Sequence, residues 1–139
     1  MRKRGIRIGL ATACAALALP TAAAARTVYV AAYTSDTLSV ADIGVDGVPV
    51  AKPGSPLNAG DGPEAAVLTP DGRFLFLALA ADEIRRFDVA ADGSLTPGPI
   101  TPTGTNTNPY GMTVTPDGKY LYAALSASER TRETTALVT

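Results

Sequence analysis

The sequence predicts an all-β chain built from four-stranded antiparallel units. Three observations lead there: a repeat with a period of 46 residues, Pro-Asp-Gly triplets at matching places in it, and short β-branched and aromatic runs flanking those triplets.

The repeat organises everything else. The segment PEAAVLTPDGRFLFLAL, from Pro63, aligns without gaps on PYGMTVTPDGKYLYAAL, from Pro109, at an offset of 46 residues. The same offset pairs Asp36 with Asp82, Asp42 with Asp88, Gly47 with Gly93, Pro53 with Pro99 and Thr69 with Thr115. Prolines and glycines coinciding at one period are hard to obtain from composition alone. Such a period fits propeller blades and some helical repeats. Prolines recur through 49–63 and 97–109, which excludes helices there.

Each strand follows from local chemistry. In Pro70-Asp71-Gly72 and Pro116-Asp117-Gly118, Pro presets φ and Gly takes the positive φ that closes a hairpin. One full unit then reads as strands at 65–69, 73–79 and 83–89, with a Pro-containing outer strand at 95–101. Proline fits that last strand because one row of its backbone donors faces solvent at a blade edge. A four-stranded meander of this kind is the unit of a β-propeller. Ahead of it lie strands at 28–33 and 37–43 and an outer segment through Leu57; after it come strands at 110–115 and 119–125. Tyr120 and Tyr122, and Phe74 and Phe76 at the matching places, are expected in the core between adjacent blades.

Beyond Ser126 the pattern stops. A third copy would place an acidic residue at 128, Asp at 134 and Asp-Gly at 138–139, where Ser128, Thr134, Val138 and Thr139 stand. Residues 126–139 read as a polar, disordered tail, and residues 26–125 as an incomplete β-propeller in a truncated chain. About seven such units close a ring, which takes roughly 320 residues.

The amino terminus has the order of an export signal. Arg2, Lys3, Arg4 and Arg7 precede the uncharged run 8–19, and Pro20 leads into small residues ending Ala23-Ala24-Ala25. The uncharged run is too short to span a bilayer. Cys14 is a poor lipidation site, since Ala11 stands where a large aliphatic residue is usual. Cleavage after Ala25 leaves 114 residues with eight basic and thirteen acidic side chains, a charge of −5 and no thiol. The expected product is secreted or lies outside the cell envelope, with no membrane attachment after signal removal. Its acidity argues against nucleic acid as a partner. The chain has no His and one Cys, so imidazole catalysis, a Cys-based zinc site and an internal disulfide are excluded. Neither a metal nor a cofactor is expected.

The stretches VYVAAYT (28–34), DTLSVADIGVDG (36–47), GSPL (54–57), FDVAADGSLTP (87–97) and TPDGKYLYAAL (115–125) resemble the seven-bladed propellers of the lactonase family and the YVTN-repeat proteins. The resemblance covers about two and a half blades. It implies a propeller fold and, within a completed ring, hydrolysis of a sugar lactone of the 6-phosphogluconolactonase kind. That activity is associated in the family with charged and His residues of the central cleft. With no His here, no residue inherits a catalytic role.

Candidate ligand-binding residues come from the loops on the face above the channel, at 58–64 and 105–110, with 34–36 and 80–82 beside them. They are Asp61, Glu64, Asp82, Asn106, Asn108 and Tyr110. Carboxylates and amide oxygens there suit a polarised carbonyl or a hard cation. The same residues are common turn formers that bond nearby backbone N–H groups. Three functions remain open: a secreted binding or scaffold module for a small molecule or protein, a lactone hydrolase completed by other chains, and a remnant of either. Unpaired strand edges favour self-association.

Overall fold

The computed structural model describes residues 26–126 and 134–138, so the export signal expected over 1–25 lies outside the described residues. Among the described residues, eleven strands form three antiparallel sheets that stack as successive blades of a partial β-propeller.

The first blade holds β1 (Arg26–Ala32), β2 (Thr37–Ile43), β3 (Pro49–Ala51) and β4 (Leu57–Asn58). Both β3 and β4 pair with β2, so they make one interrupted outer strand. The central blade is the complete meander: β5 (Pro63–Leu68), β6 (Phe74–Leu79), β7 (Glu83–Val89) and β8 (Leu95–Pro102), in that order. The third blade contains β9 (Pro109–Val114), β10 (Tyr120–Leu125) and β11 (Thr134–Val138).

Strand polarity decides what each blade buries. In β6, Leu75, Leu77 and Leu79 point back toward the first blade and join Phe87, Leu38 and Ala59, with Tyr29 and Ala31 against them. Phe76 and Ile84 point forward and meet Leu121, Ala123 and Leu125 of the third blade. Each blade therefore has a back face and a front face, and two apolar joints hold three blades together. Every large aliphatic or aromatic group sealed in such a joint contributes about 1.5–3 kcal/mol.

The structure refines one reading and changes two expectations. The 46-residue offset that relates β2 to β7 does not extend to β1: Ala31 pairs with Leu38, whereas Leu77 pairs with Arg85. The 3-10 turn Tyr33–Ser35 carries an extra residue, so Val28, Tyr29 and Val30 occupy the places of Leu75, Phe76 and Leu77. Tyr120 and Tyr122 are not core, because they lie on the front face of the third blade and stay exposed. Nor does the tail lack structure throughout: Thr134–Val138 pairs with β10, aligning Tyr120 with Val138. In the central blade the equivalent Phe74 aligns with Asp88. The third strand thus enters four residues later than the period dictates, which hid it from a search at fixed spacing.

Local pairs fix the turns and outer strands. Asp71 Oδ1 accepts the Thr69 hydroxyl (2.6 Å) and the Arg73 N–H (3.1 Å), and the Gly72 N–H closes on the Thr69 carbonyl at 2.9 Å. Arg86 sits 4.7 Å over the Phe74 ring and pairs with Asp88 at 3.1 Å, while Arg85 lies over Phe87.

Candidate functional site

The predicted site residues fall at one end of the blades, where each outer strand hands over to the next inner one. Asp82 ends the β6–β7 turn in the left-handed region, at φ 62°. Its Oδ2 accepts the Asn106 N–H at 2.7 Å, and its Oδ1 accepts those of Thr107 (2.7 Å) and Asn108 (2.8 Å). Its carbonyl takes the Thr103 N–H at 2.8 Å. Three successive amides around one carboxylate form a nest that favours the anion. The Asn108 and Asn106 amides accordingly hold the Asp82 carboxyl below the usual range, against some desolvation. Both oxygens are thereby occupied in fixing the loop that leads into β9.

Asp36, its repeat counterpart, is left-handed too, at φ 54°, and Oδ1 accepts the Gly62 N–H at 2.9 Å. Each of these Asp residues grips the loop entering the following blade. Gly62 and Asn108 are the gripped residues at equivalent places, both with positive φ. Their carbonyls accept Ala80 N–H (3.0 Å) and Ser126 N–H (3.1 Å), so each entry point is held from two sides. A Cβ at Gly62 would come 2.8 Å from that of Ala80 and 3.0 Å from the Tyr33 ring, which requires glycine there. Asn108 carries a side chain, and its Oδ1 is buried with no hydrogen-bond partner among the described residues.

The other candidates stand differently. Asp61 and Glu64 are exposed and form no ion pair or hydrogen bond among the described residues. Glu64 and Tyr110 occupy equivalent positions at the starts of β5 and β9, two inner strands that pack side by side. Tyr110 keeps 53% of its surface exposed. Asn106 is exposed and contributes its backbone to Asp82. The geometry therefore divides the six: Asp82, Asn106 and the Asn108 backbone build the rim, while Asp61, Glu64, Tyr110 and Asn108 Oδ1 face outward or lack a partner. The hydrogen bonds of the Asp82 carboxylate go to residues 106–108, and none joins it to Asp61 or Glu64 among the described residues.

Two participants escaped sequence reasoning. Thr107 gives its N–H to Asp82, and its hydroxyl lies 2.6 Å from that of Thr103. Asp36 was visible as the partner of Asp82 in the repeat, but the matched spacing did not reveal the shared grip. Among the described residues no group of three or more His, Cys, Asp or Glu side chains is placed to hold a metal ion.

Comparison with known proteins agrees with the fold. The family model described as "Lactonase, 7-bladed beta-propeller" matches residues 14–125. No curated protein matches the chain. Among solved structures, a Bacteroides uniformis protein provisionally named a 6-phosphogluconolactonase is 22% identical, with a TM-score of 0.64 over 75% of this chain and 32% of its own. A Lactobacillus plantarum protein is 21% identical, with a TM-score of 0.65 over 81% of this chain and 38% of its own. A Bacteroides fragilis protein, also provisionally named a 6-phosphogluconolactonase, is 28% identical, with a TM-score of 0.61 over 69% of this chain and 28% of its own. The chain thus spans about a third of the length of these relatives. By a family match that covers most of its length, on a stack of three- and four-stranded antiparallel blades, this chain belongs to the seven-bladed β-propeller lactonase family.

Proposed function

We propose that the chain is an exported propeller module whose loop face binds a small ligand rich in hydroxyl groups. The observation that carries this reading is the division of labour around Asp82. Its carboxylate holds residues 106–108 in place, leaving the neighbouring polar groups of that face without partners among the described residues. Those groups are two exposed carboxylates (Asp61, Glu64) and an exposed phenol (Tyr110), a set dominated by acceptors. A polyol or sugar lactone offers the matching donors. The order of basic, uncharged and small residues at the amino terminus supports export.

A second reading, hydrolysis of a sugar lactone, is favoured by the family and by the names given to two of its solved relatives. There Asp61 or Glu64 would act as general base toward water at the lactone carbonyl.

One experiment separates the two. Glucono-lactone and gluconate are titrated into the chain while tyrosine fluorescence reports binding and proton release reports ring opening. The binding reading expects saturable binding of both, weakened about tenfold or more by Glu64→Gln, with ring opening at the uncatalysed rate. Accelerated proton release lost in Glu64→Gln or Asp61→Asn establishes the hydrolase. Absence of both signals overturns each reading and leaves a remnant.

A further inference from the structure

The two joints inside the molecule show what its two outer faces are made for. In each joint the front face of one blade covers the back face of the next. Phe76 fills the front of the central blade and is 7% exposed; Tyr29 takes the same place in the first blade and is half-buried. The third residue of that series is Tyr122, and it stands 38% exposed. On the back faces the equivalent residues are Leu77, Ala123 and Val30. Leu77 and Ala123 are sealed at 0% and 1%, whereas Val30 is 52% exposed. Beside Tyr122, the side-chain-free Gly111 opens a groove of about 300 Å³ lined by Met112, Thr113, Tyr122, Ala123 and Ala124.

We propose that these two faces bind each other between copies of this chain, the Tyr122 face of one copy covering the Val30 face of the next. The occupant is a second copy because one molecule carries both halves of an interface it already forms twice. The new joint brings a front face onto a back face, as the two internal joints do. Such a contact is heterologous, with different patches meeting, so it builds rings or open stacks rather than a two-fold dimer. Tyr122 supplies the aromatic anchor, and the groove beside it admits the branched side chains of the incoming blade. The edge of β1, which among the described residues pairs only with β2, offers further backbone groups for pairing with another chain. This proposal does not depend on the ligand proposed for the loop face.

Light scattering with size-exclusion chromatography over a concentration series tests it. Wild type is expected to form oligomers larger than a dimer. Val30→Glu and Tyr122→Glu each place a charge in one half of the joint, and each alone should weaken association at least about tenfold, leaving monomer. Both sites are exposed, and retained cooperative unfolding verifies that the variants fold. Mixing decides the geometry: the Val30→Glu chain keeps an intact front face and the Tyr122→Glu chain an intact back face. The equimolar mixture should therefore form a heterodimer and stop there. Dimers of either variant alone would show face-to-face pairing and overturn the proposal. A wild type that stays monomeric throughout would overturn it as well and assign both faces to a different partner.

Discussion

The Tyr29 hydroxyl donates to the carbonyl of Gly93 at 2.8 Å, tying β1 of the first blade to the β7–β8 turn of the central one. It is a polar tie at the margin of an apolar joint. Around it, Thr27 donates to Asp42 at 2.8 Å and Lys52 pairs with the same carboxylate at 2.8 Å. Gly93 sits at φ 80°, and a Cβ there would meet Thr27 Cβ at 3.0 Å, so the turn approaches only because it lacks a side chain.

This tie predicts a graded loss of stability. Tyr29→Phe removes one part-buried hydrogen bond and should cost about 1 kcal/mol. Gly93→Ala adds both left-handed strain and the clash with Thr27, and should cost roughly 1–3 kcal/mol. Thermal unfolding of the two variants checks the order. In the same joint, desolvation raises the Tyr29 pKa, and the Asp42 and Asp92 charges push it further. A raised folded value means that the neutral phenol is favoured in the fold. This ionisation therefore costs nothing below the ordinary tyrosine range and opposes folding as pH climbs above it. Absorbance titration should find one tyrosine ionising after the rest, and Tyr29→Phe should remove it.

The two Asp grips make a contrast at equivalent positions. Asp82 accepts three backbone N–H groups and Asp36 one, so Asp82→Asn should lower the urea midpoint more than Asp36→Asn. An amide at residue 82 turns a donor toward one of those N–H groups. Equal midpoints would count against the grip as the reason for the shared backbone geometry of the two turns.

Acid should unfold the chain through a set of such carboxylates. The pKa of Asp82 is lowered by the Asn108 amide first, that of Asp42 by Lys52, that of Asp71 by the Thr69 hydroxyl, that of Asp92 by Ser94 and that of Asp117 by Thr115. Each folded value lies below the unfolded one, so the stabilisation is complete above the unfolded Asp pKa of about 3.9 and is lost as pH falls through the folded values. Unfolding midpoints should stay level above about pH 5 and drop steeply below about pH 4. Asp82→Asn should make that drop shallower.

The sequence exposed the strands because their boundaries are made of local chemistry. Pro-Asp-Gly, Asp-Gly and the short apolar runs act over a few residues, and β5 to β8 begin and end close to where those signals lie. Relations between blades were harder to see. The role of Asp36 and Asp82 appears only when one blade is laid on the next. The extra residue in the Tyr33–Ser35 turn and the delayed entry of β11 displace the chain from a strict period. Tyr122 repeats the pattern of Phe76, yet burial depends on whether another blade lies over it, which a repeat pattern does not encode. In the candidate site the residue types were legible, but not the division between Asp82, used to hold backbone, and Glu64, left exposed.

The last prediction concerns the turn that recurs in the repeat. The Thr69 hydroxyl donates to Asp71 Oδ1 at 2.6 Å and accepts the Phe74 N–H at 3.0 Å, and Thr69 is 4% exposed. Val at this position keeps the shape and adds apolar surface, so burial alone would favour it. It also leaves the Phe74 N–H without that acceptor and Asp71 without its donor, and an unsatisfied buried donor costs about 1–3 kcal/mol. Thr69→Val should therefore destabilise despite its hydrophobicity. Thr69→Ser keeps both bonds and gives up one methyl group, worth about 0.8 kcal/mol, so it should be the milder change. Thr115 makes the equivalent bonds, to Asp117 at 2.5 Å and from the Tyr120 N–H at 3.1 Å, in a more exposed turn. Water can replace the lost partner there, so Thr115→Val should cost less than Thr69→Val. Urea unfolding of the three variants tests the ranking, and a Thr69→Val chain more stable than Thr69→Ser would show that burial, not the hydroxyl, governs the turn.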